Sequence, residues 1–321
     1  MVANKMKALV FHTNIDPSSR TQYRLTLCGA GTDKIELLLD ARQMSLLDAR
    51  FTRAFYIRCR KDKILYEIGH AADKTALEKL SRYYGLCDVC CLDGISLSGA
   101  KRTLCAVVET LYRYPKLRSK ICFIGTHHEF ARQMLRLETG DRAVLANFNL
   151  QYICSDKNAA LIGRFIRPML ADMMKSHQNY VATTLCIFGL FDAVLLDQHD
   201  YDEAAYPAFV SELRDNERSG YHPQSCGTPE SILYHELGHL IDNVCEISQG
   251  AEFRNYFASL PRESIKQGLS QYALSSPQEF LAEAFAEGMC NPTPRVIASR
   301  VMRIVERAYA SADLHAGAKL K

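Results

Sequence analysis

The most constraining feature of this sequence is a short segment in which two histidines lie four residues apart. His235 and His239 flank Glu236 and have apolar residues on both sides. Thr228 is a suitable N-cap and Pro229 suits the first helical position, so we predict a helix that begins here. Because residues four apart lie on one face of a helix, both imidazoles can bind the same metal ion. The apolar neighbours predict that this helix is buried.

Glu236, the residue after the first histidine, indicates that the metal is catalytic. It lies one position further round the helix, where its carboxylate can reach a metal-bound water without binding the metal. Catalytic zinc usually has three protein ligands and one open position. In metzincins the third ligand follows at a fixed spacing, but the required positions here hold Asp242 and Cys245. We therefore expect the third ligand on another segment.

A second predicted helix carries two carboxylates that can supply this ligand. Ser276 and Pro277 suit its first positions, and Glu279 and Glu283 lie one turn apart on one face. We predict that Glu279 binds the metal and that Glu283 accepts a hydrogen bond from a metal-binding histidine. Helix periodicity alone also allows the reverse order, or an ordinary helix with acidic residues facing solvent.

Asp242 is a second candidate for a hydrogen bond to a metal-binding histidine. It lies three residues after His239 on the same stripe of the first helix. A plain surface carboxylate explains this position equally well, so both interpretations stay open.

The two segments resemble the gluzincin metallopeptidases, most closely the anthrax lethal factor-like group that includes the bacterial Pro-Pro endopeptidases. The resemblance rests on HELGH at 235–239, on EFLAEAFA at 279–286, and on Tyr272, seven residues before the glutamate. It implies that Tyr272 stabilises the oxyanion of a tetrahedral intermediate. It covers roughly residues 220–289, under a quarter of the chain, and therefore carries no information on substrate selection.

The predicted function is that of a zinc-dependent endopeptidase acting on a protein or peptide. One zinc ion per chain would be held by His235, His239 and Glu279, with Glu236 as the general base and Tyr272 as the oxyanion donor. Two other classes stay open: a binding or structural protein that holds zinc without cutting, and a hydrolase acting on another carbonyl. The base and the tyrosine favour the peptidase, because a purely structural site needs neither.

Composition narrows the partners and the compartment. The chain has 321 residues, 48% of them hydrophobic and 23% charged, which is typical of a soluble globular protein. A formal net charge of +3 is too small to predict a nucleic-acid or membrane partner. The polar N-terminus and the lack of a long apolar run predict a protein of the cytoplasm, or one delivered into a host cytosol. Twelve cysteines fit a reducing compartment. No feature predicts the oligomeric state.

The predicted fold class is α+β. A zincin-like catalytic domain, with the HExxH helix packed on the glutamate-bearing helix beneath a small mixed sheet, follows an N-terminal α/β region of unknown role. The boundary is predicted near residue 115, giving 1–115 and 116–321. Residues 143–154 are predicted to be extended, and residues 180–197 fit a buried strand and a buried helix about equally well. Further strands are predicted at 7–12, 23–28, 35–39 and 120–125, and further helices at 72–84, 97–114, 128–137, 158–174 and 203–214.

A group of three cysteines lies well before the motif. Cys87, Cys90 and Cys91 have knuckle-like spacing, but no second pair follows at the usual distance. A second, structural zinc site and ordinary buried or surface thiols both stay open, and the spacing favours the thiols.

Overall fold

The computed structural model describes residues 8–11, 22–28, 34–40, 60–148, 156–175, 181–187 and 191–312. The chain divides into two compact units, Met1–Lys63 and Ile64–Lys321. The HExxH segment and the predicted helix that carries Glu279 both belong to the larger unit.

The described part of the first unit contains a three-stranded antiparallel sheet in the order β1-β2-β3. Ala8 lies opposite Cys28 in the first pair of strands, and Gln22 lies opposite Asp40 in the second pair. The three strands predicted here are confirmed to within a residue at each end. Their bounds are β1 (Ala8–Phe11), β2 (Gln22–Cys28) and β3 (Lys34–Asp40).

The second unit contains a four-stranded mixed sheet in the order β4-β5-β7-β6. Its strands are β4 (Val89–Cys91), β5 (Phe123–Thr126), β6 (Ala182–Ile187) and β7 (Phe191–Leu196). The first two strands and β7 are parallel, and β6 pairs antiparallel with β7. The ambiguous stretch 180–197 therefore contains two paired strands.

Helices make up most of the second unit, which is of mixed α+β class as predicted. Residues 60–70 are helical and are called α1. The other helices are α2 (Lys74–Tyr84), α3 (Leu97–Arg113), α4 (His127–Glu138), α5 (Arg142–Asn147), α6 (Asp156–Lys175), α7 (Gln198–Tyr201), α8 (Tyr206–Arg218), α9 (Pro229–Cys245), α10 (Ala251–Ser259), α11 (Arg262–Gly268), α12 (Pro277–Cys290) and α13 (Val296–Ser311), with short 3-10 turns at Pro115–Ser119 and Tyr272–Leu274. None of the described helices has the length and apolar character required to cross a bilayer.

Two sequence-based expectations differ from this architecture. The division of the chain at residue 63 does not match the predicted boundary near 115, because α3 packs along α9 and Arg113 pairs with Glu306 of α13 at 2.8 Å. The extended structure predicted for 143–154 is wrong for its first residues. Asp141 accepts a hydrogen bond from the backbone of Ala143 and caps α5. Residues 149–155 lie outside the described residues.

The four-stranded sheet separates two apolar cores. Ile124 and Val194 face the larger core, which α3, α9 and α12 complete. Phe123, Ala193 and Leu195 point the other way, into a smaller core shared with α4, α5 and α6. Successive residues of a strand point to opposite faces of a sheet, so these short strands are buried on both sides. This arrangement places the motif helix on one face of the sheet.

The two helix starts predicted from capping residues behave differently. Ser276 accepts a hydrogen bond from the backbone of Glu279 at 3.1 Å, so its side chain caps α12 as predicted. Thr228 occupies the N-cap position of α9, but its side chain makes no capping hydrogen bond. The hydroxyl of Ser231 instead donates to the carbonyl of Thr228 at 2.6 Å. An ion pair with a neighbouring helix stabilises the first turn of α9, because Glu230 in this turn pairs with Arg102 of α3 at 2.7 Å.

The motif helix and the glutamate-bearing helix pack directly against each other, as predicted. A glycine allows this approach. A side-chain carbon at Gly238 would lie 3.0 Å from the Cα of Ala282 and 3.2 Å from the Cβ of Phe285. The backbones of α9 and α12 are therefore close enough for side chains of both helices to meet around one point.

Changing Gly238 to valine is expected to lower the free energy of unfolding by about 1–3 kcal/mol, because the added carbons overpack the contact between α9 and α12. Chemical denaturation of the purified variant measures this change. The matched control is Gly69→Val in α1, where an added carbon would have no heavy atom within 4 Å. Equal losses in the two variants would contradict a close contact at Gly238.

Candidate metal centre

The packing of α9 and α12 brings three ligand side chains together. His235 Nε2 lies 3.1 Å from His239 Nε2 and 3.0 Å from Glu279 Oε2, and the second histidine lies 3.5 Å from the same carboxylate oxygen. Among the described residues, these three form the one group of histidine, cysteine or acidic side chains whose ligand atoms converge in this way. This largely buried group could hold a metal ion.

The size of the triangle of ligand atoms fits a small tetrahedral ion. Ligand atoms that are each about 2.0–2.1 Å from a tetrahedral zinc lie about 3.3 Å from one another. The three measured separations, 3.0, 3.1 and 3.5 Å, bracket that value. A zinc-sized ion therefore needs only small adjustments of these side chains.

The electrostatics of the three ligands also favour a cation. Glu279 Oε2 is buried and accepts no hydrogen bond of good geometry from a described residue, although His235 Nε2 is near. Burial alone would lower the pKa of His235, but the carboxylates of Glu279 and Glu283 overcome it and raise this pKa to about 10. Burial opposes ionisation of Glu279 too, yet the two imidazoles hold its pKa well below the usual range. The site thus holds a proton where a metal ion can replace it.

Glu283 supports one of the ligands from the side away from the cluster. Its Oε1 lies 2.8 Å from His235 Nδ1, and its Oε2 accepts a hydrogen bond from Ser270 at 2.8 Å and lies 3.4 Å from His222 Nδ1. The carboxylate is buried, which opposes its charge, but the histidines lower its pKa to about 2. An anion at Nδ1 keeps a proton there, so a metal ion that displaced the other proton would meet the Nε2 lone pair of His235 on the side of the cluster. The position of Glu283 fits the prediction that it accepts a hydrogen bond from a metal-binding histidine, and this role stays a prediction.

Glu236 is held by a residue that the sequence did not single out. The hydroxyl of Thr184 in β6 lies 2.8 Å from Glu236 Oε2 and 2.8 Å from the backbone oxygen of the same residue. The glutamate is buried, and its charge contributes to the raised pKa values of both His235 and Tyr272. The carboxylate is therefore close to the ligand cluster while β6 restrains one of its oxygens.

Tyr272 lies beside the cluster in the short turn before α12. Its ring centroid is 5.8 Å from that of His235, and its backbone donates to the carbonyl of Tyr221 at 3.1 Å. Partial burial, followed by the charges of Glu279 and Glu283, raises the pKa of Tyr272 well above its usual value. The phenol therefore keeps its proton at neutral pH and can donate a hydrogen bond.

The hydrogen-bond partner of Asp242 differs from the histidine that the sequence suggested. It is buried, and its Oδ1 accepts a hydrogen bond from the backbone of Ser248 at 2.6 Å. Glu246, which lies between them, ends α9 with a left-handed backbone, φ 53°. Asp242 thus stabilises the turn after the motif helix and makes no hydrogen bond with His239 in the described structure. It is neither a histidine partner nor a surface carboxylate.

Three residues of the site carried no recognisable spacing signal. Thr184, Ser270 and His222 meet the motif residues only through contacts between distant parts of the chain. His222 is the fourth residue after α8, in the polar segment before α9, and such a position is equally typical of an ordinary loop. Long-range contacts of this kind follow from the packing of elements and leave no local pattern.

The cysteine group shows no metal-site geometry. Cys87 is buried, 3.3 Å from the hydroxyl of Ser81, and its thiol donates to the carbonyl of Val89. The hydrogen bond with Cys87, followed by burial, raises the pKa of Cys90, and burial raises the pKa of Cys91 to about 12. Among the described residues these thiols do not belong to a group of converging ligand atoms. These cysteines behave as ordinary thiols within the described structure.

Comparisons with protein-family models, with curated proteins and with solved structures return no match. What the chain does is therefore inferred from the geometry of its own residues.

Proposed function

We propose that the protein is a zinc-dependent endopeptidase. The observation that carries the proposal is the convergence of His235 Nε2, His239 Nε2 and Glu279 Oε2 within 3.0–3.5 Å of one another. Two imidazoles and one carboxylate are a donor set of catalytic zinc sites, which leave a fourth position open. The likeness to gluzincins, proposed from the motif segments, agrees with this donor set. A zincin-like fold is proposed together with it.

Zinc bound by these three side chains would supply a Lewis acid and a water that ionises near neutral pH. Glu236 follows the first ligand on α9, so it is placed to take a proton from the attacking water and to pass it to the leaving amine. Thr184 holds one oxygen of this carboxylate at 2.8 Å. Its other oxygen, Oε1, has no hydrogen bond recorded in the described structure and is the one assigned to proton transfer.

Tyr272 is the proposed donor to the oxyanion. Its phenol is protonated at neutral pH, as a tyrosine ordinarily is, and burial and the neighbouring carboxylates raise its pKa further. Its ring centroid lies 5.8 Å from that of His235, and Glu279 is the first of the charges that raise its pKa. A donor fixed next to the ligands before reaction costs no reorganisation when charge develops on the substrate. A protein that held zinc only for structure would require neither this phenol nor the carboxylate of Glu236.

Cleavage of a diverse peptide library tests the proposal. The full chain, purified with zinc, is expected to cut peptides internally, to lose activity in a chelator, and to regain it when zinc is restored. Activity unaffected by metal removal would contradict the zinc role. Stoichiometric zinc without cleavage of any library peptide would instead favour a binding or structural protein.

A further inference from the structure

A basic cavity of about 670 Å³ lies where the end of α8, the end of α11 and the start of α13 meet. This volume is within the range of about 300–1,000 Å³ that is typical of ligand pockets. Four of its lining residues are cations, and one is a carboxylate. These residues are Arg214, Arg218, Lys266, Arg295 and Glu217.

Two of the four cations already have carboxylate partners. Arg295 forms a 2.7 Å ion pair with the fully buried Glu287 and also donates to backbone carbonyls of the segment 267–269. Arg218 pairs with Asp215 at 2.9 Å, where both side chains are exposed. The first pair is structural, and the second is weak because water screens it. Neither accounts for the remaining positive charge of the cavity.

The other two cations are uncompensated in the described structure. Arg214 and Lys266 are exposed and have no recorded ion pair or hydrogen bond with a described residue. The carboxylate that lines the cavity, Glu217, is turned to the backbone amide of Ser225 at 2.6 Å. The cavity therefore presents two available cations, one from α8 and one from α11, beside a single carboxylate that turns one oxygen to Ser225.

The cavity adjoins the metal centre through the segment that follows α8. Gly220 accepts a hydrogen bond from the backbone of Gln271 at 2.9 Å, and Tyr221 accepts one from Tyr272 at 3.1 Å. These bonds tie the segment to the turn that carries the proposed oxyanion donor. His222, the next residue, lines the cavity and packs its ring 5.8 Å from that of Tyr272. One residue thus belongs both to the cavity wall and to the surroundings of the site.

The distance between the two places suits a bound peptide. The ring centroids of His222 and Tyr272 are 5.8 Å apart, and those of Tyr272 and His235 are also 5.8 Å apart. An extended peptide advances about 3.3–3.6 Å per residue, so a chain cut beside His235 reaches the cavity wall within about four residues.

We propose that this cavity binds a carboxylate of the peptide substrate, on the stretch of chain that continues past His222 from the cleaved bond. The inference rests on the proposed peptidase function and adds a substrate class to it, namely acidic peptides. Arg214 and Lys266 supply the charge, and the guanidinium can bind a carboxylate through two parallel hydrogen bonds. A compact cavity with two available cations suits a single carboxylate better than a polyanion, which requires an extended row of cations.

Direct binding tests the proposal separately from cleavage. The protein is the full chain carrying Glu236→Gln, loaded with zinc so that a bound peptide is not cut. The probes are short fluorescent peptides of alanine, serine and glycine that contain one glutamate, or glutamine in the same place, with amidated C-termini. A third probe has glutamine and a free C-terminal carboxylate. We expect one of the two carboxylate probes to bind about tenfold more tightly than the amidated glutamine peptide, and which one does so identifies the source of the carboxylate.

Charge reversal locates the binding to the cavity. Lys266→Glu and Arg214→Glu are each expected to remove most of this preference. The matched control is Lys79→Glu, which makes the same change at an exposed lysine of α2 that does not line the cavity, and it should keep the preference. Equal binding of all three probes, or a preference that survives both cavity variants, would overturn the proposal. Tighter binding of a single-stranded oligonucleotide that Lys266→Glu abolishes would also overturn it.

The wild-type chain separates failure of this proposal from failure of the peptidase proposal. Chelator-sensitive cleavage of library peptides without any carboxylate preference would leave the peptidase standing and overturn the cavity assignment. A carboxylate preference that depends on Lys266, found without cleavage of any peptide, would support the cavity as a carboxylate site and contradict the peptidase.

Discussion

Alanine at His235, at His239 or at Glu279 is expected to abolish stable zinc binding. Each change leaves two protein ligands, and catalytic zinc usually requires three. Glu283→Gln is expected only to weaken binding, by about 10–100-fold, because the residue acts on the metal through His235 Nδ1, 2.8 Å away. The contrast between the two glutamates is the sharpest part of this prediction, since both belong to the same face of α12.

Elemental analysis and competition with a fluorescent zinc chelator measure these changes. Glutamine is chosen at Glu283 because the residue is buried, and the amide keeps its shape and its contact with Ser270. Circular dichroism of every variant confirms that the chain remains folded. Full zinc occupancy in the double histidine variant would show that the motif is not the metal site. Equal zinc loss in the Glu279 and Glu283 variants would contradict the assignment of Glu279 as the metal ligand and of Glu283 as the hydrogen-bond partner of His235.

Glu236→Gln is expected to retain zinc and to lose peptide cleavage by about 10²–10⁴-fold, the usual contribution of a general base. The amide keeps the size of the side chain and can still accept the hydrogen bond from Thr184, but it cannot take a proton. The loss should therefore appear in kcat, with little change in metal content or in stability.

The matched control is Glu230→Gln, six residues earlier on the same helix. This glutamate pairs with Arg102 at the start of α9 and plays no part in the cluster, so its variant should cut peptides at close to the normal rate. A Glu236→Gln variant that cleaves at a near-normal rate would require a different base. Loss of zinc from the Glu236→Gln variant would show that Glu236 itself binds the metal, contrary to the ligand group of His235, His239 and Glu279.

The helices that carry the site were predictable because their signals are local. Pro229 and Ser276 mark helix starts, and the period of the helix places His235 and His239 on one face whatever the rest of the chain does. The predicted contact between the two helices occurs where Gly238 meets Ala282. These signals need only a few neighbouring residues, so tertiary structure does not override them.

The other features of the fold and of the site could not be predicted, because they depend on contacts that no local sequence pattern encodes. Residues 180–197 are mostly apolar, and only pairing of β6 with β7 distinguishes strand from helix there. Thr184 reaches Glu236 because this hairpin packs under α9. Asp242 lies on the same stripe of α9 as His239. The left-handed backbone of Glu246 at the end of the helix turns the chain back, and the amide of Ser248 then donates a hydrogen bond to the carboxylate of Asp242. Such partners are known only once the elements are assembled.

X-ray absorption at the zinc edge of the full chain tests the metal centre most directly. We expect one zinc per chain with nitrogen and oxygen ligands at about 2.0–2.2 Å, from two imidazoles and a carboxylate, and no sulfur. A shell of sulfur at about 2.3 Å would show that cysteines hold the metal instead, and it would contradict the centre formed by His235, His239 and Glu279.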